Sequence, residues 1–243
     1  MKFVKCMVMG LLLISGVASA SEFDSSVSEK DAATIHRIAV VVSLGSTFRA
    51  DFRRGVVGFG DRRFDVPVPQ WDIDHLVAEH IVSMVNMGAR FHADALIVDD
   101  LDWPKAQYVP DGTEISGVDK SKLLERAGQQ GEDAILVVTP VYGVPATIAL
   151  PGFGLLGDDV HGKRDVCVLA YIAVSAYRTS DGHTVGQQFS KPCATKTDKF
   201  EMKDAWSNYG PDEQSAVETA VKQGVTAQID LLLGNLKVMG TGK

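Results

Sequence analysis

The sequence has 243 residues, a formal net charge of -7 at pH 7 and 45% hydrophobic residues. This length and hydrophobic content are sufficient for one large domain with a buried core. Nucleic acids and anionic lipids are bound through clustered lysine and arginine, so an acidic chain of this kind is a poor candidate for either ligand. We therefore expect no nucleic-acid partner.

The first twenty residues have the three regions of a bacterial secretory signal peptide. Lys2 and Lys5 give a basic start, residues 7–17 are uncharged and largely apolar, and residues 18–20 are the small residues that a signal peptidase accepts. The apolar region is too short to span a bilayer. We expect cleavage after residue 20, a periplasmic or secreted mature chain that begins at Ser21, and no stable membrane insertion after cleavage.

The rest of the chain alternates between β-branched runs, which favour strands, and segments with apolar residues at helical spacing. The polar stretch 21–35 predicts a flexible leader, and residues 36–45 predict a strand that is buried on both faces. Residues 48–68 then predict an irregular hairpin or a long loop. The remaining elements in chain order are a helix at 72–88, a strand at 93–103, a helix at 121–130, a strand at 133–143, a hairpin of strands 165–177 and 184–190 around Asp181-Gly182, and a helix at 211–236.

These elements predict a single α/β domain over residues 36–238, with helices packed on a mixed β-sheet. The element order is β-α-β-α-β-β-α when the hairpin is counted as one unit. In this order, over residues 36–236, the chain resembles small periplasmic envelope domains, such as the N-terminal domain of the Tol-system protein TolB and the lipoprotein activators of penicillin-binding proteins. The resemblance implies envelope assembly through protein contact, and no functional residue is carried over from it. We therefore predict a protein partner of the cell envelope.

A glycine-rich segment at 151–157 spells G-x-G-x-x-G, the pattern of a dinucleotide-binding loop. That function needs a helix directly after the glycines, and the segment is followed instead by polar residues and a β-branched strand. We therefore expect no dinucleotide and no other cofactor. The segment predicts a connector between strands, in which Phe153, Leu155 and Leu156 either pack on the protein itself or contact a partner.

A secreted serine hydrolase of the esterase type is the alternative function. Ser46 follows a buried strand, where some α/β esterases place their nucleophile, and Asp158 and His161 have a spacing that such enzymes use. However, the G-x-S-x-G sequence of a nucleophile elbow is absent. Catalysis requires these three side chains to converge in the fold.

Two groups of acidic residues are weak candidates for metal binding. Asp99 and Asp100 come at the carboxyl end of a predicted strand, where open α/β sheets place their ligands. The other group lies at the start of the helix at 72–88 and consists of Asp72, Asp74, His75 and Glu79. Caps, turns and solvated helix faces also carry such residues, so we predict no metal site.

The predicted mature chain retains two cysteines, Cys167 and Cys193, and export would deliver them to an oxidising compartment. If the hairpin forms, position 167 faces roughly position 196, and a bulge or the bend at Pro192 could bring Cys193 opposite. We predict a disulfide, with two free thiols as the alternative.

Overall fold

The computed structural model describes residues 25–54, 62–98, 120–141, 151–160, 163–197 and 201–239. In chain order its helices and strands are α1 (Glu29–Ala32), β1 (Arg37–Val42), β2 (Thr47–Arg54), β3 (Arg62–Pro67), α2 (Ile73–Met87), β4 (His92–Ala95), α3 (Lys120–Gln129), β5 (Ala134–Pro140), β6 (Gly152–Val160), β7 (Lys163–Arg178), β8 (Thr184–Phe189), β9 (Cys193–Thr197) and α4 (Pro211–Leu236). The α/β class is confirmed, and α4 has its predicted bounds. The antiparallel pairing of β2 with β3 supports a hairpin rather than a long loop.

The long strand β7 organises the sheet, because its two halves pair with different neighbours. Its carboxyl-terminal half pairs with β5 and β8, and its amino-terminal half pairs with β6 and β9. The path across the sheet is β3-β2-β6-β7-β5-β1-β4, with β8 and β9 attached to β7. Since β1 is parallel to both β4 and β5, these three strands end at the same edge of the sheet.

Helices cover both faces of the sheet around β1, which explains its unbroken apolar sequence. Ile38 and Val40 contact the cluster that includes α2 and α4, whereas Ala39 and Val41 contact the smaller cluster that includes α3. A strand between two helical layers needs apolar residues at every position. None of the described helices is long and apolar enough to cross a membrane.

The segment 25–35 is part of the folded domain, so the predicted flexible leader is wrong for these residues. Ser25 forms a bridge with β8, and the Val27 N–H donates to the carbonyl oxygen of Leu236 at the end of α4, over 3.0 Å. The Val27 side chain is buried. Ala32 and Ile35 are buried in the same core cluster, so several apolar residues dock the segment. Residues 1–24, which include the predicted signal peptide, lie outside the described residues.

The glycine-rich segment 151–157 lies in β6, between β2 and β7, and is not a connector. Phe153 and Leu155 are fully buried in the core. A Cβ on Gly154 would lie 1.7 Å from the carbonyl oxygen of Arg49 in β2, so this glycine permits the close approach of the two strands. The predicted partner contact through Phe153 and Leu155 is wrong, because apolar residues alternating with glycine form a buried strand here.

A disulfide joins Cys167 to Cys193, as predicted, with their Cα atoms 5.6 Å apart. Cys167 faces Lys196 in the β7–β9 register, and a register shift after Val168 brings Cys193 opposite Leu169. The bulge moves the pairing by one residue, so Cys193 lies diagonally across from Cys167, two residues further along β7. This bond anchors β9, the short edge strand beside the amino-terminal half of β7.

Candidate functional site

Two of the three residues of the predicted hydrolase, Ser46 and Asp158, lie far apart. Ser46 immediately precedes β2, whereas Asp158 is aligned with Arg53 at the far end of β2 in the parallel β2–β6 register. Seven residues of extended chain correspond to about 20 Å, which is too far for a hydrogen-bonded catalytic set. His161 lies outside the described residues. The serine hydrolase built on these residues is therefore wrong.

Leu156, the remaining residue of the predicted partner surface, is half-buried. It lies on the opposite face of β6 from Phe153 and Leu155, because successive residues of a strand point to opposite faces. These three side chains therefore cannot form one contact surface.

A cleft opens where β1 and β4 end and α2 begins. Its volume is about 630 Å³. Apolar residues of β1, of α2 and of the chain at the end of β4 line it, together with three polar side chains at the start of α2. The apolar residues are Val40, Val42, Ala78 and residues 95–98, and the polar residues are Asp72, Asp74 and His75. The carboxyl ends of parallel strands are the usual place for ligands in open α/β sheets. None of the lining residues in the described part of the chain is a lysine or an arginine.

Asp74 connects the end of β1 to the start of α2. Its carboxylate accepts hydrogen bonds from the backbone N–H groups of Leu44 and Gly45, with Oδ1 at 2.7 and 3.2 Å. Burial raises the pKa of this carboxyl from 3.8 to about 6, against the lowering effect of the two N–H donors, and the nearby Asp72 adds to the increase. Asp74 therefore exchanges a proton near neutral pH, next to the cleft.

A smaller cavity of about 200 Å³ is lined by the same two carboxylates. Gly45, Ser46 and Val68 line it, and it shares Asp72 and Asp74 with the cleft. Ser46, which follows a buried strand, thus lies close to the candidate site and lines the same cavity as Asp72 and Asp74.

At one residue on the outer edge of β4, a side chain from α2 forms hydrogen bonds with the backbone. Asn86 accepts from the Ala93 N–H through Oδ1 over 2.7 Å, and its Nδ2 donates to the Ala93 carbonyl oxygen over 3.0 Å. The amide thus satisfies the two backbone groups that a neighbouring strand would satisfy. In the path across the described strands, β4 is the last strand on this side.

The acidic residues proposed as metal ligands do not form a metal centre where the structure describes them. His75 pairs with Glu79 at 3.2 Å on the exposed face of α2. No group of three or more His, Cys, Asp and Glu side chains among the described residues could hold a metal ion. Asp99 and Asp100 lie outside the described residues.

We expect Asp74→Asn to remove a pH dependence of folding stability. The pKa of Asp74 is about 6 in the folded protein and has its ordinary value of 3.8 in the unfolded chain. As pH rises, Asp74 therefore loses its proton at a lower pH in the unfolded chain than in the folded protein. The protonated carboxyl therefore favours the folded state. As pH rises from about 4 to about 6, the free energy of unfolding falls by at most about 3 kcal/mol because of this group. Urea unfolding at a series of pH values measures this slope, which should be flatter in the variant.

Asp74→Ala is the matched comparison, because alanine removes the charge and also the acceptor for Leu44 and Gly45. At pH 7 we expect the free energy of unfolding to be about 1–3 kcal/mol lower for alanine than for asparagine. Equal pH slopes in the wild type and the asparagine variant would contradict the assignment.

The fold and the cleft define the chain as a single α/β domain with an open cleft at the carboxyl ends of β1 and β4. Comparisons with known families and with curated proteins found no match.

Among solved structures, the protein XCC0632 from Xanthomonas campestris, of family DUF330, is similar with 8% identity, coverage of 84% of this chain and 85% of that chain, and a TM-score of 0.40. Two PelC dodecamers from Paraburkholderia phytofirmans are similar with 12% identity, coverage of 80% and 89%, and TM-scores of 0.25 and 0.26. Scores at this level assign no function, and the resemblance to TolB-like domains stays a prediction.

Proposed function

We propose that the protein is an exported accessory protein of the cell envelope, which acts by binding another protein at the β1–β4 cleft. The observation that carries this proposal is the position of the cleft, at the carboxyl ends of parallel strands and beside the outer edge of β4. The site is open, and an exposed apolar side chain lies among its lining residues, a feature of surfaces that contact other proteins.

Export is supported by two independent features of the chain. The first twenty residues have the sequence pattern of a cleaved signal peptide. Cys167 and Cys193 form a disulfide between two strands, and such bonds persist in the periplasm and outside the cell. The resemblance in element order to periplasmic envelope domains agrees with this location.

Protein contact at the cleft is supported by the exposure of Ile97. This side chain is 74% exposed, although it lies directly beside the buried Leu96 and Val98. When a partner covers a large apolar side chain at the rim of a cleft, the burial favours binding by about 25 cal/mol per Å² of apolar surface.

Fractionation of producing cells tests the exported state. We expect the chain in the osmotic-shock fraction or the medium to have the intact mass of a protein that begins at Ser21 with Cys167 and Cys193 oxidised. A full-length chain that retains residues 1–20 and stays in the cytoplasmic fraction would contradict export. A chain that retains these residues in the membrane fraction would show an uncleaved anchor instead.

A further inference from the structure

The backbone of β4 alternates between groups that pair with β1 and groups that point away from it. His92 and Leu96 donate their N–H groups to β1, at 2.7 and 2.8 Å. In a strand the N–H and C=O groups of alternate residues point to opposite sides. The outward groups of β4 therefore belong to Ala93 and Ala95. Leu96 still donates to β1 just past the end of β4, and the same alternation carried one residue further assigns outward groups to Ile97.

Of these three residues, only Ala93 has its outward backbone groups hydrogen-bonded by the amide of Asn86. Ala95 and Ile97 both line the cleft and are both exposed. No described strand lies beyond β4 to pair with them. Unpaired backbone groups at an exposed edge are the feature to which an extended peptide adds as a further strand.

The charges around this open edge select the kind of segment that fits. Asp72 and Asp74 line the same cleft as Ala95 and Ile97. Asp94 is exposed on β4, and its carboxylate lies 3.1 Å from the Arg37 guanidinium and 3.3 Å from the His92 imidazole. The described lining of the cleft contributes two carboxylates and no lysine or arginine, and its one histidine, His75, pairs with Glu79. A positively charged side chain therefore complements the cleft.

We propose, on the basis of the function proposed above, that an extended segment of the partner protein adds a strand to β4 at Ala95 and Ile97. Its backbone pairs with the outward N–H and C=O groups of these two residues. Apolar side chains of the segment cover Ile97, and a lysine or arginine of the segment lies over Asp72 and Asp74. The amide of Asn86 ends the pairing at Ala93.

The test is a titration of the ¹⁵N-labelled exported protein with the blocked heptapeptide Lys-Val-Thr-Val-Thr-Val-Lys, followed by backbone amide chemical shifts. We expect saturable shifts centred on Ala95 and Ile97. Methylation of alternate peptide nitrogens should weaken binding about tenfold, because it removes donors to the edge. Glutamate in place of both lysines should weaken it to a similar degree.

Ala95→Pro tests the same pairing from the protein side. Proline removes the outward N–H, which makes no bond to β1, and edge strands tolerate it. We expect about tenfold weaker binding with a nearly unchanged melting temperature. If the variant unfolds, the methylated peptide still decides the matter.

Equal affinities for the plain and methylated peptides, shifts that map elsewhere, or no binding at millimolar peptide would overturn strand addition. Butylammonium that shifts the same amides with the affinity of the peptide would also overturn it, in favour of a small cation. None of these results affects the fractionation result, which tests export separately.

Discussion

Phe153→Ala should lower the free energy of unfolding by about 3–5 kcal/mol, the usual loss when a buried aromatic side chain is truncated. Phe153 is fully buried, and its ring centroid lies 6.2 Å from that of Trp71. Trp71 in turn packs against Phe48 and Trp206, at 5.3 and 6.0 Å between centroids. The truncation therefore leaves a cavity in an aromatic cluster between the sheet and the start of α4. Equilibrium urea unfolding measures the loss.

Leu156→Ala is the matched control, because Leu156 belongs to the same strand and is only half-buried. We expect it to cost clearly less, about 1–2 kcal/mol, in proportion to the smaller apolar area that it removes from the interior. Equal and small effects of both substitutions would contradict the assignment of 151–157 to a core strand.

Cys193→Ser should lower the free energy of unfolding by about 3–4 kcal/mol under oxidising conditions. The disulfide closes a loop with a sequence separation of 26, and a crosslink over that length restricts the unfolded chain by about this amount. Urea unfolding of the variant, compared with the oxidised wild type, measures the loss.

The reduced wild-type protein provides the control for this variant, because it also lacks the crosslink. We expect its stability to agree with that of the variant to within about 1 kcal/mol, since the serine hydroxyl is a small change at a partly exposed position. A variant as stable as the oxidised wild type would show that the bond contributes nothing to folding.

Much of the fold could be predicted because its elements have strong local signals. The apolar run of β5 and the apolar stripe of α4 are independent of the rest of the structure, and the turn at Asp181-Gly182 predicts the β7–β8 hairpin. The disulfide followed from that hairpin register. Local patterns of this kind need only the period of the element and its end signals.

β6 could not be predicted, because its glycines have a reason that is distant in sequence. Gly154 is required by the backbone of Arg49 in β2, and this contact exists only once the parallel β2–β6 pair has formed. Read locally, the same glycines indicate turns. The long strand β7 and its division between two sets of neighbours likewise depend on pairings that no local pattern specifies.

The candidate site was only partly visible in the sequence. Asp72 and Asp74 stood out as an acidic group at a helix start, and Ser46 as a residue after a buried strand. The role of Asn86 could not be predicted, because its amide meets the Ala93 backbone only when α2 packs on β4. The exposure of Ile97 could not be predicted either, because Ile97 lies in the apolar run that predicted a strand at 93–103, whereas β4 ends at Ala95.

Photo-crosslinking in producing cells tests the proposed protein contact most directly. A photoreactive phenylalanine analogue replaces Ile97 in one strain and, as the control, Met87 in another; the two native side chains are 74% and 69% exposed. After irradiation we predict a discrete crosslinked species of the exported protein from position 97 and none, or far less, from position 87. No crosslinked species from position 97, or equal yields of the same species from both positions, would contradict binding of a partner at the β1–β4 cleft.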